Sequence, residues 1–291
     1  MSFFPTSWVE RLGDYGRLMR IDRPIGTLLL LWPTLWALWI AGNGRPEPVI
    51  VIIFTLGVFV MRAAGCVIND VADQKLDRQV KRTRDRPLAA GRVSRREALT
   101  LFAGLMTFAF VLATFLNALT LGLACIGALL AATYPFTKRI TDLPQVYLGV
   151  AFGWGIPMAF AAELGYVPAI GWILLLANIC WAVAYDTMYA MTDRDDDLVA
   201  GARSSAILFG RADRIWVAVF QFATFGILIG IGLNLALGPV YFLGLAGAVG
   251  FALYQQYLIR ARERLQCFAA FLNNNWLGGS VFLGLSLSYA L

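Results

Sequence analysis

Long apolar runs separated by short polar connections set the pattern of this chain. The runs fall at about residues 25–42, 48–68, 98–116, 118–135, 144–162, 168–190, 215–233, 238–259 and 269–290. Most approach the roughly 20 residues that a bilayer core requires, so nine transmembrane helices are predicted. Ahead of them, Trp8, Val9, Leu12, Tyr15 and Met19, interleaved with Arg11 and Arg17, predict an interfacial helix within residues 1–20. That stretch has no apolar core or small-residue cleavage site, so no secretory signal is expected. The predicted fold is all-α: one polytopic membrane domain over residues 1–291, with nine transmembrane helices around a central cavity and cytoplasmic cap loops.

Composition agrees with the pattern. With 59% hydrophobic and 14% charged residues among 291, the chain has too little polar surface to cover a soluble globule. Charge then orients the helices. All of the 24 basic residues except Arg45 and Arg62 precede the first run or follow the second, fourth, sixth and eighth. Cytoplasmic loops carry such an excess, so the N-terminus and these loops are expected in the cytoplasm and the C-terminus on the far side of the membrane.

Two acidic clusters now stand out, each at the cytoplasmic end of an apolar run. The first holds Asn69, Asp70, Asp73 and Asp77; the second holds Asp186, Asp193, Asp195, Asp196 and Asp197 after Tyr185. A carboxylate costs roughly 2.5 to 3.5 kcal/mol at the centre of a transmembrane helix and less towards its ends, so clustered acids imply a compensating ligand. At 3.6 residues per turn Asn69, Asp73 and Asp77 share one helix face, as do Asp186, Asp193 and Asp197 if their helix continues. Both runs head towards the cytoplasm, so the acids sit at negative helix ends and need cations. Either cluster alone reads equally well as a solvated loop; two with helical spacing on one side do not. Mg2+ suits them, because it prefers oxygen and bridges carboxylates to phosphates.

The remaining residues mainly exclude alternatives. The absence of histidine removes His-based acid–base chemistry, His-ligated haem and His-containing zinc sites. Cys66, Cys125, Cys180 and Cys267 lack metal-ligand spacing and read as inert core thiols. Trp32, Trp36 and Trp39 read as core or lipid contacts. Gly226, Gly230, Gly232, Gly244, Gly247 and Gly250 read as close helix contacts. Pro33, Pro157 and Pro239 are expected to kink or begin helices.

Taken together, the motifs resemble the UbiA superfamily of intramembrane aromatic prenyltransferases, and within it the hydroxybenzoate branch. The matching stretches are RIDRPIGTLLLLWPTLWAL at 20–38, MRAAGCVIND at 61–70, VKRT at 80–83, RPL at 86–88, YPF at 134–136 with Lys138 and Arg139, YDT at 185–187, DRDDD at 193–197, SAILFG at 205–210 and FLNNNW at 271–276. The resemblance implies transfer of a polyprenyl group from polyprenyl diphosphate to the ring carbon beside the phenol of 4-hydroxybenzoate, in ubiquinone assembly. It implies Mg2+ as cofactor and the lipid bilayer as surroundings, with no nucleic-acid partner.

On that expectation Asn69, Asp73 and Asp77 hold one Mg2+, and Asp193 and Asp197 the second. Asp70 and Asp186 are ligands or supporting partners. Arg139 with Lys138 holds diphosphate oxygens, with Arg82 and Arg86 as weaker candidates. Arg62, seven residues before Asn69 on the same face, either binds the benzoate carboxylate or acts as a structural counter-ion. Tyr185 and Tyr189 either steady the carbocation or a diphosphate oxygen, or serve packing. No residue is identified as the base that takes the ring proton. The competing readings are a menaquinone, homogentisate or haem branch of the superfamily, and a cation or phosphate-conjugate transporter. A transporter would need ionisable groups deep within several helices, whereas here they gather at one face.

Overall fold

Each predicted apolar run lies in helix in the computed structural model, which describes residues 8–78, 83–137, 140–200 and 203–291. In chain order the helices are α1 (Trp8–Leu18), α2 (Ile25–Ala41), α3 (Pro48–Asp77), α4 (Arg95–Thr114), α5 (Ala118–Thr137), α6 (Pro144–Gly153), α7 (Gly155–Leu164), α8 (Ala169–Ala200), α9 (Ser205–Phe209), α10 (Asp213–Asn234), α11 (Pro239–Leu258) and α12 (Arg264–Ala290). The described residues contain no strand. Among the described residues six segments are long and apolar enough to cross a membrane: Pro48–Gln74, Arg95–Thr114, Pro144–Leu164, Ala169–Leu198, Ser205–Asn234 and Pro239–Ala261. Helices Ile25–Ala41 and Ala118–Tyr134 are apolar but shorter. α12 has the length, but Asn273, Asn274 and Asn275 dilute its apolar character.

The run at 144–162 is not one helix but two, joined at Trp154. Pro157 explains the break: it has no N–H for the Gly153 carbonyl, and its ring crowds that same oxygen. Two carboxylate-bearing helices run on past their apolar stretches. α3 ends at Asp77 and α8 at Ala200, so both acidic clusters are helical, as their spacing requires.

Small residues set the closest helix contacts. A methyl group on Gly149 of α6 would lie 2.8 Å from the Ile179 Cα of α8, and the Asn178 amide donates to the Gly149 carbonyl at 2.9 Å. On Gly244 of α11 a methyl would lie 2.6 Å from the Gly284 Cα of α12. Gly232 and Gly247 are similarly confined by Tyr241 and Ser280, whereas Gly226, Gly230 and Gly250 have nothing within 4 Å, which corrects the reading of all six as packing sites. Buried amides join α10, α11 and α12: Gln221 donates to Gln255 at 2.8 Å, and Gln255 to Asn273 at 3.0 Å. Such bonds hold helices together where no hydrophobic force acts between them. The α2 tryptophans are core contacts, with Trp36 stacked on Trp181 of α8 at 5.3 Å and Trp32 bonded to Asn275 of α12.

α1 is fixed by protein as well as facing outward. Leu12 is exposed, but Leu18 packs with Val67, Val71, Leu88, Val93 and Ala98. Ser94 and Glu97 form a capping box that starts α4, and Glu97 also receives Arg11 and, at 3.0 Å, the Tyr15 hydroxyl. Arg92 reaches Asp14 at 3.0 Å. The segment before α4 is thereby pinned over the end of α3.

Candidate functional site

A cavity of about 1060 Å³ lies within the bundle, lined by α2 to α8, the connections beside them and the first turns of α12. Among the described residues α10 and α11 contribute nothing to its wall. This corrects the expectation of nine helices around the cavity: α10 and α11 spend their buried faces on α8, on α12 and on the glutamine pair.

α3 gives the cavity its polarity. Its lining residues run Ile53, Phe54, Met61, Arg62, Cys66, Asn69, Asp73 and Asp77, a path of roughly 35 Å at 1.5 Å per residue. The chemistry changes from apolar to acidic along that path. Asp186, Asp193, Asp196 and Asp197 of α8 line the same cavity, with Arg20, Arg23, Arg86 and Arg203. Towards the other end Ala109 and Ala113 of α4, Ala124 and Ala128 of α5, Phe152 and Met158 form an apolar wall.

Two of the acids had no role that spacing alone could separate. Asp70, only 1% exposed, does not line the cavity; its Oδ1 accepts from Arg20 at 2.7 Å and from Arg86 at 3.1 Å. The same Arg86 nitrogen donates to Asp77 Oδ2 at 2.7 Å. Asp70 thus holds the arginine that holds Asp77, while Asp186 faces the cavity.

Arg62 also faces the cavity, where Gly26 leaves space for its guanidinium: a methyl group on Gly26 would overlap it. It donates to the Cys66 thiol, its buried Nε has no hydrogen-bond partner, and it makes no ion pair among the described residues. By helical rise it lies roughly 10 Å deeper than Asn69. Tyr185 and Tyr189 line the wall with Phe268 and Phe271 of α12; Tyr189 lies 4.9 Å from Phe271 and Trp181 meets Tyr185 edge-on. The Tyr185 hydroxyl is buried without a hydrogen-bond partner. Arg82, Lys138 and Arg139 lie outside the described residues.

Several lining residues have no chemistry that marks them in the sequence, although Phe271 opens the FLNNNW stretch. Phe268 and Phe271 come from a helix with no acidic motif, and Arg203 and Ser204 from the connection to α9. Asp196 was visible in the acidic run, but only packing shows that it reaches the cavity. Cys125 is exposed and lines the cavity, which overturns its reading as a core thiol.

The site's donors suit Mg2+. They are oxygens of Asp and Asn from two helices, with no histidine available, and each set sits at a negative helix end. No three acidic or thiol groups gather around one point among the described residues. Mg2+ does not need such a cage: it takes one or two carboxylates, keeps waters and completes its shell with substrate oxygens.

A model of the UbiA prenyltransferase family matches residues 30–278. The chain is 58% identical over 280 residues to a 4-hydroxybenzoate octaprenyltransferase of Nitrosococcus oceani, covering 96% of this chain and 98% of that protein. It is 56% identical over 285 residues to that of Methylococcus capsulatus, with 98% of each covered. Among solved structures, the apo UbiA homologue of Aeropyrum pernix K1 superposes with a TM-score of 0.76 at 26% identity, over 87% of this chain and 96% of that one. A UbiA homologue of Archaeoglobus fulgidus bound to GPP and Mg2+ shares the fold, with a TM-score of 0.69 at 16% identity over 94% and 99% of the two chains.

Proposed function

Because the chain belongs to the UbiA prenyltransferase family, we propose that it transfers a polyprenyl group from polyprenyl diphosphate to the ring carbon ortho to the hydroxyl of 4-hydroxybenzoate. One observation carries this reading: two carboxylate stripes, on α3 and α8, line the polar end of a cavity whose far wall is apolar. The names of the relatives support the acceptor, and the Archaeoglobus fulgidus homologue with GPP and Mg2+ supports the donor and the metal.

The chain's residues divide the work by depth. Asn69, Asp73 and Asp77 on one side, and Asp193 and Asp197 on the other, would hold Mg2+, whose Lewis acidity offsets charge on the departing diphosphate. Arg139, Lys138 and Arg82 would bind diphosphate oxygens. Arg86, already bonded to Asp77, would orient that carboxylate. Arg62 would take the benzoate carboxylate, because its guanidinium faces the cavity with a buried N–H unpaired. Bidentate geometry favours arginine for that task. An aromatic ring held between Arg62 and the acids would present its ortho carbon to the allylic carbon. Tyr185, Tyr189, Phe268 and Phe271, which line the cavity, would shield the electron-poor allyl group and keep water from capturing it.

The site would open to the cytoplasm, with the N-terminus on that side, the C-terminus periplasmic and the segment before α4 forming part of a cap. All nine apolar runs would then lie in the bacterial inner membrane, α2 and α5 included. The test is turnover by membranes holding the full chain, given a polyprenyl diphosphate and 4-hydroxybenzoate with and without Mg2+. Product is expected only with Mg2+ and is lost in the Asp73→Ala, Asp193→Ala double variant. Undiminished product from that variant would overturn the assignment, and product only with a different aromatic acceptor would replace the acceptor.

A further inference from the structure

Behind the cavity a second set of charges, from the start of α10 and the turn between α11 and α12, reaches the α8 stripe. Asp213, the first residue of α10, is fully buried and receives Arg262 through three contacts: Nε at 3.0 Å from Oδ1 and 2.9 Å from Oδ2, and Nη2 at 2.7 Å from Oδ1. Arg194 of α8 adds a contact at 3.4 Å to Oδ2. Arg262 adopts a left-handed backbone conformation with φ of 57°. For a residue other than glycine that conformation is unfavourable, and the buried carboxylate offsets it. The turn from α11 into α12 is therefore fixed, and with it the residue that opens α12.

That residue is Arg264. Its Nη2 bonds to Asp196 and lies 3.4 Å from Asp193 Oδ1. A cation in the first turn of a helix opposes the macrodipole, so α12 itself gains nothing from it. Arg264 does not line the cavity, whereas Asp193 and Asp196 do. We propose that Arg264 is a positioning residue: from a station fixed by Asp213 and Arg262, it holds Asp193 and Asp196 in register so that the α8 stripe meets Mg2+ preformed. Without it, four acids within five residues at a negative helix end repel one another and turn towards solvent. The proposal rests on the preceding reading that this stripe binds Mg2+.

The test is Mn2+ binding followed by electron paramagnetic resonance, on the full chain in nanodiscs with an unreactive prenyl thiodiphosphate. Ordering one released carboxylate side chain anew sets the scale: Arg264→Gln weakens Mn2+ binding by roughly tenfold. It raises the Mg2+ concentration for half-maximal turnover by the same factor, while kcat at saturating Mg2+ changes little. Arg264→Lys keeps the charge but not the planar fork, so its Mn2+ affinity falls between the two, about threefold below wild type. Unchanged or tighter binding in Arg264→Gln would overturn the proposal, since removing a positive neighbour alone strengthens cation binding. Should Arg264→Gln not fold, Arg264→Lys decides, and wild-type affinity there would overturn it. Absence of Mn2+ binding by the wild type would count instead against the metal reading of the site.

Discussion

Replacing Asp70 with asparagine separates support from ligation within the first acidic cluster. The Asp70 carboxylate is 1% exposed and accepts two charge-assisted bonds, from Arg20 at 2.7 Å and Arg86 at 3.1 Å. Such bonds contribute roughly 1.5 to 3 kcal/mol each. Asparagine keeps one acceptor oxygen of the same shape, and Arg86 keeps Asp77 at 2.7 Å, so the loss should be about 2 to 3 kcal/mol. Asp70→Ala leaves both arginines without that partner and should cost about 3 to 5 kcal/mol. Unfolding free energy measured in bicelles reads these values directly. Turnover should fall yet remain measurable, because Asp70 reaches the cavity only through Arg20, Arg86 and Asp77. A double-mutant cycle with Arg86→Gln should give a coupling of at least roughly 0.5 kcal/mol. Wild-type stability combined with abolished turnover in Asp70→Asn would refute the reasoning and make Asp70 a direct ligand.

Arg62→Gln should raise the KM for 4-hydroxybenzoate by roughly ten- to a hundredfold, the value of a charge-assisted bond, with prenyl diphosphate affinity unchanged; equal loss of both would mark a structural role. Gly244→Ala should destabilise the α11–α12 pair by about 1 to 3 kcal/mol, since the added methyl meets backbone. Gly250→Ala, mid-helix with nothing within 4 Å, should instead raise unfolding free energy by about 0.5 to 1 kcal/mol, the helix-propensity gain of alanine over glycine. Gln255→Leu should leave the Gln221 NH2 donor and the Asn273 carbonyl without Gln255, Gln256 still donating to Gln221, and cost about 0.6 to 1.7 kcal/mol in the same assay. Chelation of divalent metal with EDTA should abolish turnover, and excess Mg2+ should restore it.

Much of the site was legible because helical periodicity is local. Asn69, Asp73 and Asp77 needed only their spacing to share a face, and the extension of α8 to Ala200 placed Asp193 and Asp197 on one stripe. The apolar runs likewise indicated the all-helical class and the helix positions. What spacing could not supply was the direction in which each face turns. Asp70 and Asp73 are three residues apart, yet one meets Arg20 and Arg86 and the other the cavity.

The sequence by itself therefore determined an all-helical membrane chain, two acidic helix ends and the oxygen chemistry they can offer. Tertiary structure alone decided which helices enclose the cavity, leaving α10 and α11 outside it, and which distant groups serve it: Phe268 and Phe271 in the wall, Arg264 behind the α8 acids. The physical reason is one of range. Periodicity and transfer cost act within one helix, whereas the partner of a buried charge is chosen by the packing of all of them.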